Sequence, residues 1–253
     1  MRLFNYLKEF TRKNNNNREK IMYGILISFP KSGRTWIRVM LDQLGISLDY
    51  THAGSAYIDN KHFRELTIDK DFYKNRKCIF LHRDPRDVVV SAYFQATTRK
   101  NIYNSDLKSF IKNPYYGIEK IITFNKLWMN FAYQETFHIF SYERVHSNAE
   151  KELTKLIDYL NVNTIKLESI QEAIEFASFD NLQKLEKQGS LAQRYGKRFQ
   201  PTDPNKTESY KARRGVIRGY FDYLDQEDIE YCNSCLEYYS YFEFIKEIES
   251  KSN

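Results

Sequence analysis

The segment Ile27–Trp36, ISFPKSGRTW, constrains this chain more than any other, because it reads as a strand running straight into an anion-holding turn. Tyr23–Phe29 (YGILISF) is an apolar run of strand length, and Pro30 and Gly33 punctuate it. Trp36, Ile37, Met40, Leu41 and Leu44 follow at the i, i+3, i+4 spacing of an amphipathic helix. A strand–turn–helix of this kind aims backbone N–H groups and the positive end of a helix at one spot. Lys31, Ser32, Arg34 and Thr35 add two cationic heads and two hydroxyls there. The order differs from a Walker A loop, G-x-x-x-x-G-K-[ST], because Lys31 precedes Gly33.

A second apolar run, Cys78–Leu81, leads into His82-Arg83-Asp84-Pro85-Arg86-Asp87 and then into Val88–Phe94 (VVVSAYF), which opens a helix. Arg83 leaves the strand's end and Ser91 lies eight residues on, so a guanidinium and a hydroxyl can converge on one phosphate. The alternative on these residues alone is an Arg83–Asp87 capping pair beside a buried Ser91. No apolar run ends in an Asp placed to hold Mg²⁺, on which phosphoryl transfer usually leans. The pattern suits a nucleotide whose transferable group is neutralised by Lys and Arg.

PKSGRTW closely resembles the sulfate-donor loop of the PAPS-dependent sulfotransferases, usually worded PKSGTTW, with Arg34 in place of a Thr. Arg83, Asp87 and Ser91 match that family's R-x-x-x-D-x-x-x-S motif for the donor's 3′-phosphate. Phe137–Tyr142 (FHIFSY) is similar to the strand whose Tyr approaches adenine, and Ser178, Phe179 and Leu182 resemble the segment around the base. Arg213, Arg214 and Gly215 resemble the basic segment that closes over the 3′-phosphate, although Arg218, Gly219 and Tyr220 depart from its Gly, Asp and Trp.

The resemblance runs from about Tyr23 to the C-terminal helix and implies an α/β fold, a single domain with a central parallel sheet flanked by helices, P-loop-NTPase-like. It implies transfer of a sulfuryl group from PAPS to a hydroxyl or amine, giving PAP, with no metal. Lys31 then serves the bridging oxygen. Lys31, Ser32, Gly33, Arg34, Thr35 and Trp36 bind the donor. Thr51-His52 matches the end of the family's Lys-Thr-His base motif, with Tyr50 for the Lys, so His52 is the expected base and Asp49, Asp59 or Glu65 the fallback. His62 rates below His52, His82 reads as packed at the strand end, and His138 and His146 fall outside the mapped site.

Length and composition agree with one domain: 253 residues, 42% apolar, with a basic helix or linker over residues 1–20 and the domain over 21–253. The net charge of +6 favours an anionic ligand without requiring nucleic acid or membrane, though the basic N-terminus can graze an anionic surface. Three cysteines make no disulfide framework, and Cys232-x-x-Cys235 falls within a helical run, Asp225–Tyr239, so a reducing, cytoplasmic setting is expected. No apolar span approaches the ~20 residues of a membrane helix. The acceptor, a small molecule, a glycan or a lipid-linked alcohol, is expected among Ser55–Arg76, Gln95–Asn130 and the polar segment Gln188–Tyr210, which reads as a mobile covering loop. Ser147 and Glu150 read as a capping box. Two other classes fit part of the pattern: a P-loop-type nucleotide kinase, and a nucleotide- or nucleic-acid-binding module without turnover.

Overall fold

The apolar runs become parallel strands in a computed structural model that describes residues 22–56, 60–131, 136–162 and 164–251. Strands β1 (Met22–Ser28), β2 (Ser47–Thr51), β3 (Cys78–His82) and β4 (Phe137–Ser141) form one sheet in the order β2-β1-β3-β4. Ile25 pairs with Asp49 on one side and Cys78 on the other, and Cys78 with Phe137. Side chains alternate across the pleat. Ile25, Ile27, Cys78, Phe80, Phe137 and Ile139 therefore face one layer, built on helices Pro85–Phe94, Ile118–Met129, Gln226–Tyr238 and Tyr241–Lys251. Leu26, Ile79, Leu81 and Phe140 face the other, built on Arg34–Gln43, Ala149–Leu160, Leu167–Phe176 and Phe179–Lys187. Burial on both faces explains why three of the strands read as continuous apolar runs.

β2 escapes that pattern. Ser47–Thr51 (SLDYT) is a short edge strand with Asp49 exposed, so no apolar run announces it, and pairing with β1 supplies its order. His52 thus directly follows a strand; from the sequence alone it stands between the first helix and the strand at Cys78. The cap of Ala149–Leu160 also differs from expectation. Asn148 accepts the Lys151 amide at 3.0 Å, whereas the Ser147 hydroxyl donates back to the Glu143 carbonyl.

Gln188–Tyr210 is no open loop. It holds a helix (Ser190–Tyr195) and two 3₁₀ turns, with Leu191, Tyr195, Phe199 and Tyr210 buried. The Arg99 guanidinium donates to the carbonyls of Arg198, Gln200 and Ser209 and ties this strap to the end of the helix that follows β3. Arg99 itself sits in a single π-helical turn, Gln95–Arg99, that prolongs Pro85–Phe94. Among the described residues no helix is long and apolar enough to cross a membrane. The basic segment 1–20 lies outside the described residues.

Candidate active site

Each strand delivers one side chain at or just past its C-terminal end: Lys31 after β1, His52 after β2, Arg83 after β3 and Tyr142 after β4. All four line one cavity of about 440 Å³. From β1 the chain crosses to β2 on one side and then to β3 on the other, and such a divergence leaves a crevice at the sheet's C-terminal edge.

The turn after β1 is shaped by two left-handed residues, Lys31 (φ +77°) and Gly33 (φ +93°). A Cβ on Gly33 would stand 2.4 Å from Tyr142 Cδ2, so only glycine lets the backbone lie against that ring. The helix then begins at Arg34, and the Gly33 carbonyl accepts the Trp36 amide at 3.0 Å. The amides of Arg34 and Thr35 belong to the first turn, which has no intrahelical acceptors. Ser32 departs from expectation. Its amide donates to the Phe29 carbonyl, it is buried, and it does not line the cavity, so it closes the turn from beneath.

Positive charge gathers beside this turn. Lys31 Nζ lies 3.5 Å from Gln95 Oε1, and burial, Lys211 and Arg99 push its ammonium well below the usual lysine range. Burial, Arg198 and Arg38 lower Arg34 to about 10. His52 Nδ1 lies 2.6 Å from the Ser28 carbonyl, an oxygen that can only accept, so Nδ1 carries the hydrogen and Nε2 the lone pair. Burial and the charge of Arg34 hold the imidazole down to about 3, against the Ser28 hydrogen bond that raises it.

At the other end, Arg83 stacks its guanidinium over Tyr142 at 4.2 Å and donates to the Val216 carbonyl, while Ser91 lines the wall two turns along the following helix. Arg213 lies over Phe94 and donates to the Tyr223 hydroxyl at 2.6 Å; Arg214 pairs with Asp222 at 2.6 Å. Gly215 (φ +66°) brings the backbone so close to Phe179 that a Cβ would meet Cδ2 at 2.4 Å. Between the two ends, Trp36 meets Tyr142 edge-on at 5.5 Å and His146 at 6.2 Å. Ser178 and Leu182 complete that wall.

A family model for the sulfotransferase domain matches residues 58–241. The chain belongs to the sulfotransferase family. A guinea pig (Cavia porcellus) 3-beta-hydroxysteroid sulfotransferase is 23% identical over 188 residues, covering 61% of this chain and 64% of that protein. The chain thus matches just under two thirds of that relative's length. A mouse sulfotransferase complexed with PAP superposes with a TM-score of 0.63 at 15% identity, over 85% of this chain and 83% of the other. A retinol dehydratase in complex with retinol and PAP gives 0.65 at 15% identity, over 93% and 85%. These solved structures share the fold of this chain. The Lys31 turn and His52 precede the residues matched by the family model.

Two residues of the site lie outside the sequence expectation. His146, expected off the site, lines the cavity and its Nε2 donates to the Gly215 carbonyl at 2.9 Å. Lys211 also faces it; burial and Arg99 lower its ammonium to about 8. Spacing held the signal: His146 is four residues past Tyr142, and Lys211 opens the basic run before Arg213. Two of the fallback acids, Asp49 and Glu65, do not line the cavity. Both are exposed elsewhere, and Asp59 lies outside the described residues. His62 caps a 3₁₀ turn and His82 faces Glu249.

Asp87 has a structural task. Its carboxylate accepts the Arg218 amide at 2.9 Å and the Tyr220 amide at 3.0 Å and lies 3.4 Å from Arg83, fastening the Arg213–Tyr220 segment over the cavity. Asp87→Ala is expected to lower stability by about 2–4 kcal/mol, since it strands two amides and one guanidinium. Denaturant melts measure this, and a loss below about 1 kcal/mol would place the fastening elsewhere.

Proposed function

We propose that this chain moves a sulfuryl group from PAPS to a hydroxyl or amine of an acceptor and releases PAP. One observation carries the reading: the four strand ends bring Lys31, His52, Arg83 and Tyr142 to one cavity beside a helix N-terminus. The residues present fit a bis-phosphorylated adenosine. Arg83 Nε and Arg34 Nη1 are buried without a hydrogen-bond partner, and Gly33 and Gly215 set bare backbone against the flat rings of Tyr142 and Phe179.

Arg83, Ser91, Arg213 and Arg214 hold the 3′-phosphate by charge-assisted hydrogen bonds. Trp36, Tyr142, Ser178, Phe179 and Leu182 enclose the base, and Thr35 with the helix amides holds the 5′-phosphate. Bound there, PAPS supplies a sulfur–oxygen bond that breaks as the acceptor's oxygen–sulfur bond forms, its electron pair remaining on the 5′-phosphate oxygen of PAP. His52 Nε2 takes the acceptor's proton. Lys31 neutralises the bridging oxygen as charge develops on it. The acceptor is a small molecule, a glycan or a lipid-linked alcohol, and the buried, unbridged thiols of Cys78, Cys232 and Cys235 favour a reducing, cytoplasmic setting.

PAP is expected to bind more tightly than AMP by about 2–3 kcal/mol, roughly 30- to 150-fold, the worth of the 3′-phosphate contacts. Calorimetry with both ligands tests this. Equal affinities would remove the 3′-phosphate assignment, and ATP bound in preference to PAP would favour a kinase.

A further inference from the structure

A second cavity, of about 340 Å³, opens from the first. The two share Arg34, Thr35, His52 and Lys211, so the second cavity borders the His52 ring whose Nε2 carries the lone pair. Its walls are unlike those of the nucleotide cavity. Cations converge from three segments: Arg34 and Arg38 on the first helix, Arg99 and Lys100 at the π turn, and Arg198 and Lys211 on the strap and its continuation. Among the described residues lining it, none is acidic and only Phe199 is apolar. Contrary to the sequence expectation, none of the described residues of Ser55–Arg76 lines either cavity.

The carboxylates nearby leave this charge largely unmatched. Glu186 lies 3.5 Å from Arg99, but its two oxygens also accept the Lys211 and Ala212 amides. Asp42 pairs with Arg194. Among the described residues no carboxylate lies within ion-pair distance of Arg34, Arg38, Arg198 or Lys211. Arg38 is held instead over the rings of Tyr50 and Tyr195, at 4.7 and 4.3 Å. Arg38 Nε and Arg34 Nη1 are both buried without a hydrogen-bond partner. Buried unpaired charge is strongly unfavourable unless a counter-charge arrives.

Resting on the sulfotransferase reading above, we infer that the acceptor is itself an anion, a hydroxyl compound bearing a carboxylate or a phosphate or sulfate ester that sits among Arg38, Arg99, Lys100 and Arg198 while its hydroxyl meets His52. A neutral, apolar acceptor would strip water from these cations and give nothing back. A fixed anion matches them by charge-assisted hydrogen bonds, with the fork geometry of Arg suited to carboxylate and phosphate alike. The transfer balances as before: the acceptor oxygen gains the sulfuryl group, its proton goes to His52 Nε2, and PAP leaves with the bond's electron pair.

Matched pairs differing in one anionic group test this by titration with the PAP-free and the PAP-saturated protein. p-Nitrophenyl β-D-glucuronide against the glucoside reads a carboxylate, and glucose 6-phosphate against glucose a phosphate ester. The anionic member is expected to bind at least about tenfold more tightly at low salt, the advantage shrinking as salt rises. Lys197 and Arg198 are exposed and line only this cavity, so Lys197→Glu with Arg198→Glu should fold. That double variant should lose most of the preference, and should lose less PAP affinity than anion affinity at raised salt, since Arg198 reaches the nucleotide only through its field at Arg34. Equal binding of both members in both pairs, no binding of either anion, or a preference untouched by the double variant overturns the inference. PAP calorimetry on the unaltered protein reads the sulfotransferase assignment separately, so the two can fail independently.

Discussion

Replacing His52 by Ala is expected to lower acceptor sulfation by about 10²–10⁴-fold, the usual worth of a positioned base, while leaving PAP affinity close to unchanged. The geometry makes the role specific. With Nδ1–H donated to the Ser28 carbonyl, the ring is fixed in one tautomer, and it lines both cavities. Burial first, then Arg34, hold the imidazole at about 3, well below the ordinary histidine range. Below its normal value a histidine loses its proton more readily, so the ring is neutral from about pH 8 to about pH 5 and needs no deprotonation before it acts. Such a ring is also a weak base. Negative charge arriving beside Arg34 relieves the repulsion, so donor binding raises its basicity and arms the base. NMR titration of the ring checks both points: a neutral imidazole across that range in the ligand-free protein, and a midpoint that moves up when PAP is added. Undiminished turnover in His52→Ala would instead make the ring a structural one.

Legibility of the site in the sequence followed from how local each signal was. The Lys31 turn and the Arg83–Ser91 segment are contiguous strand–turn–helix stretches, in which the apolar run, the break and the polar residues all lie within a short window. Tyr142 and Gly215 were reached only through family resemblance, because the reason for each lies in a remote partner: Tyr142 packs on Gly33 and Gly215 on Phe179. β2 was hidden since its order comes from β1 rather than from its own composition. The strap over Gln188–Tyr210 misled because its polar residues outnumber Leu191, Tyr195 and Phe199, although these recur at i, i+4, i+8, the spacing of a buried helical stripe. The acceptor cavity carried a similar signal. Gln95 and Arg99 are four residues apart, as are Arg34 and Arg38, so two helical faces turn polar and cationic side chains to one place. What the sequence could not show is that those faces converge, which depends on the crossing of the strap over the π turn.

Lys31→Met should lower turnover by about 10²–10³-fold, the loss typical of removing one stabiliser of developing negative charge, and should do so without lowering the melting temperature. Both halves follow from the same surroundings. Lys31 sits among Lys211, Arg99 and Arg213, and burial with these neighbours disfavours its charged form. Before a donor binds, the ammonium is therefore held against repulsion, and removing it relieves the folded state. Methionine keeps the length of the side chain, and the positive φ of position 31 strains it no more than lysine. During transfer the balance reverses, because the bridging oxygen gains charge as the sulfuryl group departs and the ammonium then has a partner. Only an interaction stronger in the transition state than in the ground state changes the rate. Single-turnover rates, donor affinity and thermal melts on one preparation separate the roles. A rate unchanged at saturating PAPS with a large loss of donor affinity would make Lys31 a binding group alone, and a fall in melting temperature would make it a structural one.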